Sequence, residues 1–170
     1  MKRTIVALAL AATSHFALAA DNACLEKKYD AYIDASLHWY EDLSQLTSEQ
    51  YPELTEVSEW FLQGRQHHFE LNRAAVKYYL EHDASKVATA QPVEAWLQLD
   101  QKDIKVLTSR SDELGQLASV TFNDRQAKPH EKNYELRSAF ADLLSHPTKI
   151  DAALKRYNQS IQALESIDCQ

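Results

Sequence analysis

Three residues of metal-ligating type lie within four positions of one another in the second quarter of the chain. His67, His68 and Glu70 carry imidazole and carboxylate groups, which are common zinc ligands. His67 and Glu70 are three positions apart, so a helix would place both on one face. A zinc site needs at least three protein ligands, and His38 or His82 would have to supply the remainder. The alternative is that His68 fills a hydrogen-bonded slot in the core while His67 faces solvent.

Other cofactors and the common catalytic motifs lack their residues in this sequence. Covalent haem attachment needs Cys-x-x-Cys-His, and carboxylate-bridged di-iron bundles repeat Glu-x-x-His. The only methionine is Met1, which leaves no thioether ligand for haem or copper. The sequence has no Gly-x-Ser-x-Gly elbow, no phosphate-binding glycine loop and no His-Glu-x-x-His. We therefore expect no cofactor, and we expect a protein that is not an enzyme.

A run of carboxylates beside aromatic residues is the best candidate for a contact surface. Glu53, Glu56 and Glu59 recur every three residues and lead into Trp60. The helix macrodipole accounts for acidic residues in a first turn, but its effect fades beyond that turn. The run is either a solvated helix face or an acidic rim suited to a basic protein. Trp39, which lies off the apolar stripe of its helix, is a second candidate for an exposed aromatic contact.

The first nineteen residues have the pattern of a signal peptide. In Met1–Ala19, Lys2 and Arg3 precede the apolar stretch Ile5–Ala12, and the small residues of Ala17–Ala19 form a cleavage site. The apolar stretch is shorter than the roughly 20 residues that span a bilayer, and no second one follows. We therefore expect export to the periplasm or beyond, no membrane insertion, and a single domain over residues 20–170.

The charge of the chain excludes some classes of partner. The whole sequence has a formal net charge of -7, and loss of the positive charges of Lys2 and Arg3 with the signal peptide takes it to -9. Acidity of this size disfavours non-specific binding to nucleic acid and to anionic lipid. It favours a basic partner.

One cysteine lies near each end of the predicted mature chain. In an oxidising compartment Cys24 and Cys169 are expected to pair, because an exported protein with two cysteines forms one intramolecular bridge by default. Closing so long a loop would stabilise the fold by at most about 5 kcal/mol. Free thiols and an intermolecular bridge are the alternatives.

The composition predicts helices throughout. Gly64 and Gly115 are the only glycines, and the sequence has no Asn-Gly or Asp-Gly pair of the kind that hairpins use. Apolar residues instead recur every three to four positions. Gly64 falls on such a stripe and is interpreted as a close approach between helices. The pattern predicts four long helices, over Ala23–Leu46, Glu53–His82, Gln101–Gln126 and Thr148–Asp168. A shorter apolar segment, His130–Ser145, precedes the last of them.

The predicted disulfide restricts the topology. Bridged Cα atoms lie within about 7 Å of each other, so the last helix must end where the first begins. An up-and-down bundle satisfies this only with an even number of passes. We predict an all-α antiparallel bundle of four main passes, interrupted near Pro92 and Pro147, and a six-pass bundle satisfies the same condition.

Together these features predict an exported helical protein that acts by binding. The leading hypothesis is an inhibitor or immunity-type protein for a basic partner such as a cell-wall hydrolase or toxin, which would contact Glu53, Glu56, Glu59, Trp60 and Trp39. The alternative is a bundle that binds a metal or a small ligand at His67, His68 and Glu70. The sequence leaves the oligomeric state open.

Overall fold

The molecule is a stack of α-helices. The computed structural model describes the backbone of residues 13–169 and the side chains of residues 21–169, and no strand occurs in that part of the chain. Residues 1–12, which hold most of the predicted signal peptide, lie outside the described residues. The all-α prediction is confirmed. The six helices are α1 (Thr13–Gln50), α2 (Thr55–His82), α3 (Gln101–Leu107), α4 (Glu113–Gln126), α5 (Asn133–Ser145) and α6 (Pro147–Glu165).

The first helix is longer than predicted at both ends. It begins at Thr13 rather than Ala23 and ends at Gln50 rather than Leu46. The predicted helix ends just before Thr47, but the Thr47 hydroxyl donates to the carbonyl oxygen of Leu43 at 2.8 Å. This bond satisfies the hydroxyl within the helix, so threonine does not compete with the backbone there. The chain turns only at Pro52, which begins a short 3-10 segment.

The predicted helix over Gln101–Gln126 is wrong, because it is two helices joined by a tight turn. The Asp112 side chain accepts a hydrogen bond from the backbone N–H of Gly115 at 3.1 Å and caps the start of α4. A Cβ atom on Gly115 would overlap the backbone carbonyl of Arg110, so the turn needs a glycine at that position. The apolar spacing continues across the turn, which is why periodicity alone did not reveal it.

The helices make four antiparallel passes. Glu26 and Lys77 pair at 2.8 Å at one end of α1 and α2, and Ser44 and Ser58 bond at 2.9 Å at the other. Helix α4 packs on α2, and α6 packs on α1. The four long helices α1, α2, α4 and α6 form these passes. Short α3 folds back against α4, so that Arg125 Nη1 near the end of α4 donates to the carbonyl oxygen of Leu99 just before α3 at 3.2 Å, and short α5 precedes α6 at Pro147.

The two ends of the described chain are joined. Cys24 and Cys169 form a disulfide with a Cα–Cα distance of 5.5 Å. Beside it, Lys28 Nζ donates to the carbonyl oxygen of Ile167 at 2.8 Å. The predicted pairing and the even number of passes are both confirmed.

Residues 87–100 form an irregular segment, here called the strap, that closes one side of the bundle. Pro92 lies in it, as the predicted interruption requires, and precedes a 3-10 turn at Val93–Ala95. The Trp96 ring is buried and stacks on Tyr29 of α1 with ring centroids 5.9 Å apart. The indole N–H of Trp96 donates to the Gln91 carbonyl at 2.8 Å. Packing and this bond fix the strap without regular secondary structure.

The apolar side chains of the helices and the strap meet in one main core between α1, α2 and α4. Two smaller apolar clusters lie where α5 covers the turn between α1 and α2. Within the described residues, none of the helices has the length and apolar content needed to cross a bilayer.

Candidate functional site

The three predicted metal ligands point in different directions. His67 Nδ1 lies 2.7 Å from Asp124 Oδ2 of α4. Glu70 Oε2 accepts from Arg73 Nε at 3.1 Å on the side of α2 that faces α1. His68 turns into a pocket between α2 and α4. Over residues 21–169, no three His, Cys, Asp or Glu side chains are grouped so that they could hold a metal ion. The geometry therefore gives no support to a metal site at these residues.

The predicted acidic surface lies against the loop between α4 and α5, which carries Lys128, His130 and Lys132. Glu53, Glu56 and Glu59 are exposed, and Trp60 is 38% exposed. The imidazole of His130 lies beside Trp60 with ring centroids 5.7 Å apart, and His130 Nε2 lies 3.9 Å from Glu56 Oε1. Part of the acidic run is thus matched within the molecule.

Trp39 is separate from that surface. Its ring lies between α1 and α6, half-buried, with its centroid 5.8 Å from the ring of Tyr157. Trp39 therefore takes part in packing these two helices, and the structure does not bring it together with Trp60.

The pocket that receives His68 is about 350 Å³ in volume. This is the lower end of the range for small-molecule sites. On α2, Trp60, Gly64 and His68 follow one another at intervals of four positions, as do Phe61 and Arg65, so two adjacent rows of side-chain positions line the pocket. The lining residues are Trp60, Phe61, Gln63, Gly64, Arg65 and His68 from α2, Thr121, Asp124 and Arg125 from α4, and Ala127.

Gly64 opens this pocket and does not mark a close approach between helices, so that interpretation was wrong. Outside the backbone of its own helix, a Cβ atom built on Gly64 meets no described atom within 4 Å. Glycine in a helix interior costs about 1 kcal/mol relative to alanine. No neighbouring helix of the described chain lies close enough to Gly64 to require a glycine there. Any side chain at this position would occupy the pocket.

His68 is a neutral histidine whose tautomer is set by its neighbours. Burial, together with the positive charges of Arg125 and Arg65, lowers the pKa of His68 to about 4. Arg125 Nη2 lies 3.2 Å from His68 Nδ1 and can only donate, so Nδ1 accepts and the proton is on Nε2.

Asn72 lies at that second nitrogen. Its Nδ2 is 3.4 Å from His68 Nε2, while its Oδ1 is buried and has no partner among the described residues. A half-turn of the Asn72 amide places Oδ1 opposite the Nε2 proton and satisfies both groups. His68 then accepts from Arg125 on one side and donates to Asn72 on the other.

Two arginines meet at this pocket without an acidic partner. The guanidinium carbon of Arg65 lies 5.3 Å from the ring centroid of Phe61, and its buried Nε has no hydrogen-bond partner among the described residues. Arg125 lies at the pocket mouth and donates to the carbonyl oxygen of Leu99 in the strap at 3.2 Å. Elsewhere in the described part of the chain, Arg73, Arg110 and Arg156 pair with carboxylates, while Arg137 lies exposed on α5 outside any ion pair. No such pair is found there for Arg65 or Arg125.

The electrostatics of the pocket reflect this imbalance. Burial lowers the pKa of Arg125, and repulsion from Arg65 lowers it further, while Asp100 opposes the shift. The carboxylate in the pocket lining, Asp124, is paired with His67. A bound anion would compensate the two positive charges, because a charge-assisted hydrogen bond to guanidinium is among the stronger polar contacts in proteins.

Sequence reasoning found part of this site. It identified His68 as an inward-facing histidine and Trp60 as a contact residue, but it did not assign Arg65 or Arg125 to a site. The spacing of Trp60, Gly64 and His68 places them on one helix face beside Arg65, and this was an available signal. The approach of Arg125 depends on how α4 packs, which no local pattern reports.

Comparisons of the chain with protein-family models, curated proteins and solved structures gave no match.

Proposed function

We propose that this is a binding protein whose pocket between α2 and α4 takes a small anionic ligand. The observation that carries the proposal is the meeting of two guanidinium groups, Arg65 and Arg125, at one cavity without a carboxylate partner among the described residues. Arg65 is half-buried with an unpartnered Nε, and a charge partly removed from water without a counter-ion is destabilising, so this arrangement favours a ligand that supplies the missing charge. Arginine stays protonated in proteins, so the two groups are suited to holding an anion rather than to moving a proton.

The proposal includes export to the periplasm. It is supported by the signal-peptide pattern of Met1–Ala19 and by the Cys24–Cys169 disulfide, since disulfides persist in oxidising compartments. Intact-mass measurement of the exported product should give the mass of a chain starting at Ala20 and carrying no free thiol. Recovery only of uncleaved or freely alkylated protein would contradict this part.

Anion binding can be tested by thermal unfolding at fixed ionic strength. A ligand that binds only the folded state stabilises it by about 2.7 kcal/mol at a hundred times its dissociation constant. Sodium chloride, sulfate, phosphate, acetate and benzoate are compared, and at least one is expected to raise the Tm in a saturable way. Arg65→Gln and Arg125→Gln should remove this rise.

The matched control is Arg137→Gln, which removes a positive charge from the exposed surface of α5. It should leave the anion-induced rise in Tm intact. If no anion in the set stabilises the protein, or if Arg137→Gln reduces the effect as much as the pocket variants do, the proposed function is wrong.

A second candidate function is the binding of a basic protein, such as a cell-wall hydrolase or toxin to be inhibited. It is favoured by Tyr134, which is 78% exposed beside a cleft whose rim carries Glu53 and Glu135. Exposed tyrosines are enriched among residues that dominate interfaces, and carboxylates around them would attract a basic partner. Charge reversal at Glu53 and Glu135 together should abolish capture of a basic hydrolase, and a reversal variant that binds as well as the original chain would contradict it.

A further inference from the structure

We propose that the ligand of the α2–α4 pocket is a monocarboxylate carrying a flat aromatic group. The carboxylate would be held between Arg65 and Arg125, with the ring lying over Gly64 against Trp60. This inference rests on the proposed function and specifies the ligand class.

The donors around the pocket favour a carboxylate over a phosphate. Phosphate sites in proteins draw on free backbone N–H groups at a helix N-terminus or in a glycine-rich loop. This pocket instead faces the middle of α2 and the last turns of α4, where backbone N–H groups bond within the helix. The donors left to a ligand are the guanidinium N–H groups of Arg65 and those N–H groups of Arg125 that do not bond to Leu99 and His68, and such planar donors suit the two oxygens of a carboxylate.

The charges favour a single negative charge on the ligand. Asp124 lines the same pocket with a side chain 40% exposed, and it would repel an anion of higher charge. The C-terminal end of α4 adds the negative end of a helix dipole on that side. The two guanidinium groups carry two positive charges, and one carboxylate of the protein compensates one of them. About one further negative charge is needed to balance the pocket, and a monocarboxylate supplies it.

The walls favour a flat apolar body. The Trp60 ring contacts His130 at a tilted angle and remains 38% exposed. Next to it, Gly64 leaves open space where any other residue would place a side chain. An aromatic ring is flat enough to use that space, and ring stacking contributes about 1 kcal/mol beyond the area it buries. The volume of about 350 Å³ suits one or two rings rather than a polymer.

The test compares five probes by isothermal titration calorimetry at constant ionic strength and neutral pH: benzoate, acetate, benzamide, sulfate and phosphate. Benzoate is expected to bind at least tenfold more tightly than acetate, which lacks the ring, and than benzamide, which lacks the charge. It should also bind more tightly than sulfate or phosphate. Sulfate or phosphate binding more tightly than benzoate, or acetate matching benzoate, would overturn the ligand class while leaving the proposed function standing. If none of the five binds, the proposed function and this inference both fail.

Gly64→Leu tests the position of the ring. The added side chain enters open space and replaces glycine with a better helix former, so the variant should fold with a Tm at least equal to that of the original chain. It should lower benzoate affinity at least tenfold, with a smaller change for acetate, whose contacts are with the two arginines alone. Unchanged benzoate binding in a folded Gly64→Leu variant would overturn the proposed placement.

Discussion

Two arginines on α2, eight positions apart, have opposite surroundings. Arg73 Nη2 donates to Asp34 Oδ1 at 2.6 Å, its Nε donates to Glu70 Oε2 at 3.1 Å, and its Nη1 lies 3.2 Å from Asp30 Oδ1. Arg65 is held instead by ring faces. Its guanidinium carbon lies 5.3 Å from the ring centroid of Phe61, and no carboxylate of the described chain pairs with it.

The difference separates a structural ion cluster from a binding group. Burial alone would lower the pKa of Arg73, but the hydrogen bond to Asp34 and the charges of Glu70, Asp34 and Asp30 outweigh it and raise the pKa. At the pocket no carboxylate outweighs burial, so the pKa of Arg125 is lowered. The Arg73 cluster links α1 to α2 and is complete, whereas the pocket of Arg65 and Arg125 is complete only with an external anion.

The largest expected effect is a pH dependence of stability that originates at His68 in the pocket rather than in the Arg73 cluster. Burial, together with the positive charges of Arg125 and Arg65, lowers the pKa of His68 from 6.5 to about 4. Between these values the unfolded chain binds more protons than the folded chain, so stability falls as the pH drops from 6.5 towards 4. Each pKa unit corresponds to about 1.4 kcal/mol, which sets an upper limit of about 3.5 kcal/mol on the loss. Urea unfolding at a series of pH values measures it.

The control for this dependence of unfolding free energy on pH is His68→Gln. Its side-chain oxygen can still accept from Arg125, but it does not titrate, so the loss of stability between pH 6.5 and 4 should largely disappear. An equal slope in both proteins would show that His68 is not the group responsible.

The next effect compares the two arginines directly. Arg73→Met leaves three carboxylates without their cation, and we expect a loss of about 2 kcal/mol, between the values for exposed and buried ion pairs. Arg65→Met removes a charge that repels Arg125 and keeps a chain that can pack on Phe61, so we expect a change within about 0.5 kcal/mol. Chemical unfolding of both variants at pH 7 measures the difference, and equal losses would contradict the distinction.

Several features of the fold were predictable because they depend on local chemistry or on one long-range bond. Helix α2 ends at His82 as its apolar spacing predicted, since Asp83 and the strap follow it. The pairing of Cys24 with Cys169 is expected of an exported chain, and it limits the number of passes to an even one. Such features need no knowledge of how side chains pack.

The pocket was less predictable because its elements come from different helices. His68 and Gly64 were both noticed, yet a glycine on an apolar stripe has the same pattern whether it touches a helix or faces a cavity. Arg125 lies 57 positions after His68, and only the antiparallel packing of α4 on α2 brings its Nη2 within 3.2 Å of the imidazole. The break between α3 and α4 was missed for a related reason, since Gly115 is required by contact with the backbone of Arg110.

The two glycines of the chain provide the smallest but most direct test of the same distinction. Gly64→Ala adds a methyl group where no described atom lies within 4 Å, so the gain in helix propensity should raise the free energy of unfolding by about 1 kcal/mol. Gly115→Ala also improves propensity, but its Cβ would overlap the Arg110 carbonyl, and it should destabilise the fold by about 1–3 kcal/mol. Urea unfolding of both variants gives the signs. If Gly64→Ala were destabilising, Gly64 would have a packing role after all, and the open space beside Arg65 could not be attributed to a ligand.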